Sequence, residues 1–391
     1  QKWHTCKNTD AINSSNPCVT GDTLVATSDG LRRIDSLVGE IPEVVGLDGS
    51  LHRASRVFET GTKPVYRLRT KSGYTIKLTA DHPVWTENRG DVPAAELTED
   101  DVVKLMQPRF GSETVSEDVG EYIGLMLGDG CISDGIATLT MDKDREMLIT
   151  EKAASVVNGF QRQRGTVAVT ERKTSNAVAT SAASVRSLLN QYVVLDKGSV
   201  GKRLKEAALG LNRDSMAALL RGLFTADGTV VDSKDKSQYV GLDSTSETLL
   251  EQVQAILLGF GIKAKLYRNR RLTNRALLPD GNGGLKEYDV KQTHSLRVTR
   301  SSRIRFEEEI GFMDESHKSA ALMALNSRVR AYRDRMTDKV VELELLGEEV
   351  VYDLTEPTTN HFVANGVAVH NCSEYMFLDN SACNLASLNL R

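Results

Sequence analysis

At 391 residues, with 40% hydrophobic content, the chain is long enough for two or three domains that each bury a core. No apolar run reaches the roughly 18 residues of a membrane helix, and the amino end is polar, so we expect a cytoplasmic protein with no membrane partner. The five cysteines lack CxxC pairs and a disulfide-scaffold spacing, which argues against a zinc site and a disulfide framework. The net charge of −4 hides an uneven distribution.

The first predicted domain is all β. Short β-rich runs occur between residues 19 and 107, and turn signals that contain glycine separate them. These runs are 23–26, 65–70, 74–78 and 102–105, and the turns include Gly30, Gly49 and Gly73. Strand-like runs return at 340–343 and 349–354, after a long stretch in which helical and strand patterns alternate. We therefore predict one β domain that is interrupted by an α/β insertion.

The insertion contains an internal repeat, because residues 121–130 match residues 219–228. The aligned positions include Gly124 with Gly222, Leu125 with Leu223, and Asp129 with Asp227. Each copy is followed by a strand-like stretch, at 137–141 and 238–243, and then by a helical stretch. Two copies of one unit, related by a pseudo-two-fold axis, would suit a target that is itself nearly symmetric.

Each repeat opens with a predicted helix that carries small residues four positions apart, which lets two helix backbones approach closely. These are Gly124 and Gly128 in the first helix and Gly222 and Ala226 in the second. Each helix ends at an acid followed by glycine, a residue suited to the left-handed conformation that commonly stops a helix. Side by side, the helices would bring Asp129 and Asp227 together as a like-charge pair that a divalent metal relieves. For either copy alone, Asp-Gly is simply a helix-ending turn.

The paired motifs closely resemble those of the LAGLIDADG homing endonucleases, over residues 119–336. The resemblance implies that Asp129 and Asp227 bind Mg²⁺ and that the substrate is double-stranded DNA. Lys202 lies where intein-borne members carry a lysine near the scissile phosphates, although a solvated surface lysine is an equal alternative. The segment 263–305 holds twelve Lys or Arg against three acids, and with a β-like run at 295–300 it would contact phosphates and the major groove.

Four further motifs occur in order along the β part of the chain. They begin at Cys18, include residues 78–84, continue through residues 351–366, and end at residues 369–372. Together they resemble the motifs of class 1 inteins, whose all-β Hint domain is a horseshoe-shaped fold shared with hedgehog autoprocessing domains. Any one motif alone would be weak, since a lone cysteine is commonly a small buried hydrophobe.

The resemblance implies a self-splicing reaction that begins at Cys18. Its thiol attacks the carbonyl of Pro17 and makes a thioester, a step that needs bond distortion, oxyanion donors and an acid. Thr79 and His82 fit these roles, and Asp353 is a candidate for tuning Cys18. A proline before the nucleophile has a hindered carbonyl, so we expect this first acyl shift to be slow.

The later steps involve the carboxy-terminal junction. Cys372 takes over the acyl group, and the thiolate fraction and the alignment govern the rate of this nearly isoenergetic exchange. The side-chain amide of Asn371 then attacks its own backbone carbonyl and releases Cys372, with His370 and His361 supplying the proton transfers. We expect no cofactor for splicing.

The flanks of this element resemble a host enzyme. Joining Pro17 to Cys372 creates a segment similar to ribonucleotide reductases, particularly the adenosylcobalamin-dependent class II type. In that family an Asn-x-Cys-x-Glu motif holds the radical cysteine, and the corresponding residues here are Asn16, Cys372 and Glu374. Because the flanks are short, we expect no reductase activity from this chain itself.

These interpretations divide the chain into five parts. They are an N-extein fragment (1–17), the first part of the Hint splicing domain (18–110), a LAGLIDADG homing endonuclease domain (111–336), the second part of the splicing domain (337–371) and a C-extein fragment (372–391). The predicted function is autocatalytic excision of 18–371 with ligation of the flanks, plus site-specific cleavage of the intein-free host gene by a monomer. The alternatives are a splicing-competent intein with a DNA-binding endonuclease relic, and a reductase fragment with an inert insertion.

Overall fold

The computed structural model describes residues 17–160, 165–233, 237–271, 275–279, 285–328 and 330–371. Three of the predicted functional residues, Asn16, Cys372 and Glu374, lie outside these ranges. Along the described ranges, no helix is both long and apolar enough to cross a membrane.

The chain from residue 17 to the insertion folds into strands, as predicted. The strands are β1 (Val19–Thr20), β2 (Leu24–Thr27), β3 (Gly30–Arg33), β4 (Glu43–Val45), β5 (Leu51–Arg53), β6 (Phe58–Thr70), β7 (Thr75–Leu78), β8 (Pro83–Thr86), β9 (Gly90–Pro93) and β10 (Val102–Lys104). Short 3-10 turns lie at Ile34–Leu37 and Ala94–Glu96. Gly30, Gly49 and Gly73 have positive φ values of 93°, 79° and 87°, so the predicted turns are confirmed.

The insertion alternates helices and strands. Its first repeat contains α1 (Glu117–Asp129), β11 (Gly130–Ser133), β12 (Ile136–Asp142), α2 (Met147–Phe160), β13 (Thr170–Glu171), β14 (Ser175–Thr180) and α3 (Ala183–Tyr192). A connection holds β15 (Val193–Val194), α4 (Gly198–Gly201), β16 (Arg203–Leu204) and α5 (Glu206–Leu209). The second repeat contains α6 (Arg213–Asp227), β17 (Gly228–Ser233), β18 (Ser237–Ser244), α7 (Glu247–Gly259), β19 (Ala264–Tyr267), β20 (Arg275–Pro279), β21 (Leu285–Asp289), β22 (His294–Val298), α8 (Arg300–Glu309) and α9 (His317–Arg328).

The sheets of the two repeats have the same topology. The first is ordered β11-β12-β14-β13 and the second β17-β18-β22-β19, so in each the fourth strand lies between the second and the third. The strands β20 and β21 form a separate hairpin in the second repeat. The internal repeat predicted from the two motifs is therefore confirmed as a repeat of structure.

After the insertion the chain returns to the first sheet through β23 (Thr337–Asp353), β24 (His361–Ala364) and β25 (Val367–His370). The described residues of this sheet form thirteen strands, in the order β1-β7-β6-β23-β10-β8-β25-β24-β2-β4-β5, with β3 beside β2 and β9 beside β8. The predicted β domain with an α/β insertion is therefore confirmed. The domain limits at 110/111 and 336/337 stay predictions, near the observed start of α1 at Glu117 and of β23 at Thr337.

Three of the predicted strand-like runs are parts of longer strands. The runs at 340–343 and 349–354 are parts of one strand, β23, and the predicted run at 65–70 is the end of the long strand β6. Between the two runs β23 contains Gly347, which has a positive φ of 119° and lies at one of several register irregularities against β6. A bulge bends a strand without ending its pairing, so the turn-like residues between the runs do not separate two strands.

Both ends of the segment 18–371 lie in this sheet. The strand β1 directly follows Cys18, and its Val19 pairs with Tyr352 of β23 and with Leu78 of β7. The strand β25 directly precedes Asn371 and pairs with β24 and β8. The turn between β7 and β8 therefore lies between the two junctions.

The helices α1 and α6 pack backbone against backbone, as their small residues predict. A methyl group added to Gly124 would lie 2.0 Å from the carbonyl oxygen of Leu219, and one added to Gly222 would lie 2.1 Å from that of Glu121. Such distances exclude any side chain at either position, because packed interiors leave no free volume to accept one. The close approach brings the carboxyl ends of the two helices together.

The predicted left-handed glycine at each helix end was wrong. Gly130 has a φ of −91° and Gly228 a φ of −76°, and each residue begins a strand at once. Glycine is required there by crowding, since a Cβ would lie 2.5 Å from the carbonyl oxygen of Met126 in the first copy and 2.2 Å from that of Phe224 in the second. The chain thus leaves each helix in an extended conformation.

The second repeat packs against the β6–β7 turn of the β domain. The carbonyl oxygen of Ser72 accepts hydrogen bonds from the backbone N–H of Leu266 and from the side chain of Gln254, both at 2.9 Å. Leu258 of α7 is fully buried among core residues of the β domain, where its Cδ1 approaches Gly366. The insertion is therefore joined to the β domain by a packed contact as well as by its two connections.

The helix contact predicts a stability difference between two glycine substitutions. We expect Gly124→Ala to destabilise the insertion by about 2 kcal/mol or more, since the new methyl group overlaps the backbone of α6. Gly159→Ala in α2 is the matched control, because no atom lies within 4 Å of its added Cβ, and it should stabilise slightly, by about 0.5–1 kcal/mol. Thermal unfolding followed by circular dichroism measures both. Equal melting temperatures for the two variants would contradict the contact.

Candidate active sites

The amino-terminal junction is held by the turn that follows β7. The amide N–H of Cys18 donates to the hydroxyl of Thr79 at 3.2 Å, and the N–H of Thr79 donates to the carbonyl oxygen of Cys18 at 3.0 Å. The Nδ1 atom of His82 lies 3.2 Å from the same carbonyl oxygen. Both predicted partners of Cys18 therefore contact its backbone, and Thr79 is the one that contacts the nitrogen of the scissile bond.

The thiol of Cys18 is fully buried between β6 and β23. Its Sγ lies 3.0 Å from the hydroxyl of Thr60 and 3.2 Å from the Nζ of Lys63. Burial raises the pKa of the Cys18 thiol, and the negative charge of the buried Asp353 adds to this, while Thr60 and Lys63 act in the opposite direction. Asp353 thus lies close enough to influence Cys18, as predicted, but it disfavours the thiolate.

His82 is fully buried, and burial lowers its pKa to about 4. At neutral pH the ring is therefore uncharged and carries one proton. With that proton on Nδ1, the ring donates to the carbonyl oxygen of Cys18. A neutral imidazole is a weak acid, so the ring is better suited to orient the junction than to protonate a leaving group by itself.

The carboxy-terminal junction is also buried. The side-chain Nδ2 of Asn371 donates to the carbonyl oxygen of Glu356 at 2.5 Å, and its backbone N–H donates to that of Asn360 at 3.0 Å. The Nδ1 of His370 lies 2.7 Å from the carbonyl oxygen of Asn371. A donor at this position polarises the carbonyl that the Asn371 side chain would attack.

His361 lies behind His370, with its ring centroid 5.0 Å away in an edge-on arrangement. Its Nε2 lies 2.8 Å from the carboxylate of Asp91, and its Nδ1 lies 2.6 Å from the carbonyl oxygen of Thr359. A hydrogen-bonding partner therefore faces each ring nitrogen. Asp91 and Thr359 therefore hold His361 in a fixed orientation beside the junction, while Cys372 lies outside the described residues.

Asp129 and Asp227 end the paired helices side by side and interact with each other. Asp129 is exposed and Asp227 half-buried, and neighbouring protein displaces part of the water around both. This loss of hydration raises both pKa values, and the charge of Asp129 raises that of Asp227 further. The predicted proximity of the two acids is therefore observed.

Two lysines flank this acid pair. The Nζ of Lys202 donates to the carbonyl oxygen of Gly128 at the end of α1. The Nζ of Lys318 donates to the carbonyl oxygens of Thr225 and Ala226 at the end of α6, at 2.6 and 2.9 Å. Loss of hydration lowers the pKa of each lysine, and both acids oppose the shift. Lys202 is thus half-buried at the acid pair rather than solvated on the surface, and Lys318 is its counterpart in the second repeat.

The donor set fits a divalent cation of the hard type. Such ions prefer carboxylate oxygens and complete their coordination with water or substrate phosphates. Two coupled carboxylates with raised pKa values would lose their mutual repulsion on binding it. The described residues contain no cluster of three or more His, Cys, Asp or Glu side chains that could hold a metal ion. Two carboxylates would leave the other coordination positions of such an ion to water or to phosphate oxygens.

A cluster of cations and aromatic rings lies on one face of the sheet of the second repeat, where most of these side chains are half-buried. The guanidinium of Arg297 lies 4.4 Å from the ring centre of Tyr239 and 4.8 Å from that of Tyr267. Lys265 and Arg270 lie against the same Tyr267 ring, at 4.8 and 5.6 Å. We call these five residues the cation-aromatic face.

Other parts of the basic segment 263–305 do not belong to this face. Lys263 donates to the carbonyl oxygen of Thr337, Arg303 is buried, and Arg268 pairs with Glu247 and Glu251. The β-like run predicted at 295–300 is also shorter, since β22 ends at Val298 and α8 begins at Arg300. The number of Lys and Arg residues in the segment overestimated the basic surface, because several of these cations bind acceptors within the protein.

Sequence reasoning missed five residues of these sites. They are Thr60 and Lys63 at the thiol, Asp91 and Glu356 at the carboxy-terminal junction, and Lys318 at the acid pair. Only Lys318 could have been found from the sequence, because the internal repeat predicts a counterpart of Lys202 in the second copy. Thr60, Lys63 and Asp91 reach their sites through the pairing of distant strands, and Glu356 lies in the loop between β23 and β24.

The chain was compared with solved structures and with curated proteins. A DnaB intein from Synechocystis sp. PCC 6803 superposes with a TM-score of 0.29 at 13% identity, covering 91% of this chain and 99% of that one. I-DmoI in complex with DNA and Ca superposes with a TM-score of 0.36 at 17% identity, covering 55% of this chain and 100% of that one.

Residues 214–311 match the family described as LAGLIDADG-like domain. The chain is 25% identical to the ribonucleoside-diphosphate reductase NrdEB subunit alpha of Bacillus subtilis (strain 168), over 96% of this chain and 38% of that protein. It is also 25% identical to the replicative DNA helicase DnaB of Rhodothermus marinus, over 91% of this chain and 46% of that protein. The chain thus spans less than half the length of these relatives. The predicted similarity to ribonucleotide reductases is confirmed, and the predicted LAGLIDADG resemblance is confirmed over residues 214–311.

The buried position of His82 predicts an unusual titration. We expect its imidazole to take up a proton with a midpoint near pH 4, because burial disfavours the cation. Since the unfolded chain takes up this proton near pH 6.5, the stability that the neutral ring contributes is present above that pH and is lost as the pH falls towards 4. NMR of the ring in a Cys18→Ala, Asn371→Ala chain measures the midpoint, and His82→Gln identifies the signal. A midpoint at the ordinary histidine value would contradict the burial.

Proposed function

We propose that this chain is an intein with a LAGLIDADG-like domain, which excises residues 18–371 from its flanks, joins the flanks, and cuts double-stranded DNA at a specific site. The observation that carries the splicing proposal is that both junctions are buried in one sheet. Cys18 precedes β1, Asn371 follows β25, and the turn with Thr79 and His82 connects β7 to β8, which pair with those two strands. Reacting groups at opposite ends of a 354-residue segment are thereby held in one framework.

In the first step, the thiolate sulfur of Cys18 bonds to the carbonyl carbon of Pro17, and the bond to the Cys18 nitrogen breaks. The proton that the thiol loses is balanced by the proton that the leaving nitrogen gains. The hydroxyl of Thr79, which holds the N–H of Cys18, fixes the orientation of this nitrogen. The ring of His82 restrains the adjacent carbonyl and so limits rotation of the Cys18 peptide unit.

In the later steps, the sulfur of Cys372 bonds to the acyl carbon of Pro17 as its bond to the Cys18 sulfur breaks. The side-chain nitrogen of Asn371 then bonds to its own backbone carbonyl carbon, and the bond to the Cys372 nitrogen breaks. The freed amine of Cys372 finally takes the acyl group from its own sulfur, which makes the amide between the flanks. The carbonyl oxygen of Glu356 accepts a hydrogen bond from the side-chain amide of Asn371 and so orients its nitrogen. His370 donates to the carbonyl that is attacked and stabilises the charge that develops on its oxygen. His361, which Asp91 orients, packs against His370 and favours its position.

The DNA-cleavage proposal rests on the acid pair and its two lysines. Asp129 and Asp227 would hold a divalent cation, with Mg²⁺ as our proposal, and the ion would supply charge stabilisation at the scissile phosphates. Lys202 and Lys318 add positive charge on either side, where they would contact phosphate oxygens. The cation-aromatic face would bind the DNA beside the cleavage site.

The similarity to unrelated enzymes supports the proposal that the segment acts independently of the protein in which it lies. A reductase and a replicative helicase have no reaction in common, yet each matches more than nine-tenths of this chain. We propose that the host of this chain is a ribonucleotide reductase and that Asn16, Cys372 and Glu374 form its radical motif after splicing. These three residues lie outside the described ranges.

The cyclisation proposal predicts the effect of Asn371→Ala. We expect this variant to stop release of the carboxy-terminal flank while it still forms the thioester at Cys18, because the two steps use different groups. Mass spectrometry after dithiothreitol treatment should therefore find cleavage before Cys18 and no joined flanks. Asn190→Ala, at an exposed position of α3, is the control and should splice normally. Joined flanks from the Asn371→Ala chain would refute the assignment.

The acid-pair proposal predicts a loss of DNA cleavage without a loss of splicing. We expect Asp129→Asn and Asp227→Asn each to reduce Mg²⁺-dependent cutting of an intein-free host gene by at least a hundredfold, of the order seen when one electrostatic group is removed from an active site, roughly 10²–10³. Asp118→Asn, at the opposite end of α1, is the control and should cut normally. Full cutting by either mutant would exclude the acid pair as the site. An unmodified chain that binds this DNA without cutting it would be an endonuclease relic.

A further inference from the structure

Lys63 occupies a position at the thiol that the splicing motifs do not explain. It belongs to β6, outside the turn that holds Thr79 and His82, and its Nζ lies 3.2 Å from the Sγ of Cys18. Its direct cross-strand partner is Glu349, a residue with which a surface lysine would ordinarily pair. The carboxylate of Glu349 accepts from Lys77, at 3.4 Å. The ammonium group of Lys63 lies within hydrogen-bonding distance of the sulfur.

The surroundings of the sulfur make a nearby cation chemically useful. Cys18, Val65 and Val351 form a small buried cluster, so that water is excluded around the thiol. The carboxylate of Asp353 lies close to it on β23, and the neutral ring of His82 lies on the side of β7. Among the described residues of these elements, Lys63 is the cation that faces the sulfur. Its positive charge opposes the effect of the negative charge of Asp353.

The neighbouring hydroxyl strengthens this arrangement. Thr60 lies 3.0 Å from the sulfur and 3.0 Å from the carbonyl oxygen of Val351. The hydroxyl of Thr60 donates its one proton to Val351 in this arrangement, so it would have to turn away from that carbonyl to donate to a thiolate, whereas the ammonium group of Lys63 already donates to the sulfur. Gly61, between Thr60 and Lys63, has a positive φ of 108° and lies beside a register shift in the β6–β23 pairing. At such a bulge the regular alternation of side chains along the strand is interrupted. Side chains that are close in sequence can then point to the same side of the sheet.

We propose that Lys63 is a catalytic residue of the first splicing step, which stabilises the thiolate of Cys18 while that sulfur attacks the carbonyl of Pro17. This proposal rests on the proposed splicing function. Lys63 keeps its proton throughout: the bond from sulfur to carbon forms, the bond from carbon to nitrogen breaks, and the proton lost by sulfur is balanced by the one gained at nitrogen. Its role is to offset burial and the charge of Asp353, both of which disfavour the thiolate.

The test is the pH dependence of thioester formation in the full chain with Asn371→Ala, measured as dithiothreitol cleavage before Cys18 from pH 6 to pH 10. We expect Lys63→Met to slow cleavage about tenfold at pH 7 and to move the midpoint of the rate profile up by about one pH unit, with rates converging at high pH. Lys63→Arg, which keeps the charge, should recover most of the rate. Lys71→Met, at an exposed position beyond the end of β6, should behave as the parent chain.

Two results would overturn the proposal for Lys63. One is an unchanged midpoint in Lys63→Met, and the other is an equal loss of rate at every pH, which indicates a structural role. Lys63→Gln is a second neutral variant in case the Met variant folds poorly, and cleavage after Asn371 in a Cys18→Ala chain reports whether each variant is folded. If the parent chain forms no thioester at all, the proposed splicing function fails instead.

Discussion

The position of the nucleophile depends on a strand of two residues. Strand β1 pairs with β23 on one side and β7 on the other, so the backbone after Cys18 is held between segments that lie far apart in the sequence. Backbone hydrogen bonds of this kind are directional and costly to leave unmade in a buried position. They fix Cys18 so that Thr79 and His82 reach its backbone while Thr60, Lys63 and Asp353 surround its sulfur. Orientation is therefore imposed by the main chain, and the tuning of reactivity is left to side chains.

The parts of the molecule that sequence reasoning predicted are those with a local or repeated pattern. The glycines of α1 and α6 predicted a helix contact because only a residue without a side chain permits such an approach. The match of Asp129 with Asp227 predicted the acid pair, since neither aspartate alone differs from an ordinary turn residue. The β domain was predicted from turn glycines between short β-rich runs. In the structure these glycines have positive φ values.

What could not be predicted depends on which distant segments pair. Thr60 and Lys63 look like ordinary strand residues until β6 is placed against β23 and Cys18. Asp91 meets His361 only because β9 follows β8 and β8 pairs with β25. The error at Gly130 and Gly228 has the same origin, because the sequence shows that glycine is needed but not whether a left-handed turn or crowding requires it. The sequence pattern identifies residues that can react. The groups that surround them depend on which distant strands pair in the folded protein.

The packed contact at Ser72 has an evolutionary consequence. The carbonyl oxygen of Ser72 is satisfied by Leu266 and Gln254 of the insertion, and Leu258 fills a space beside Gly366 in the β domain. If a lineage lost the benefit of DNA cleavage, deletion of the insertion would expose the apolar surface that Leu258 covers beside Gly366, so the β domain would need compensating changes. Mutations that inactivate the acid pair would be tolerated long before mutations that disrupt the helices carrying it. The scaffold of a nuclease can therefore outlast its activity as a structural support for the neighbouring reaction.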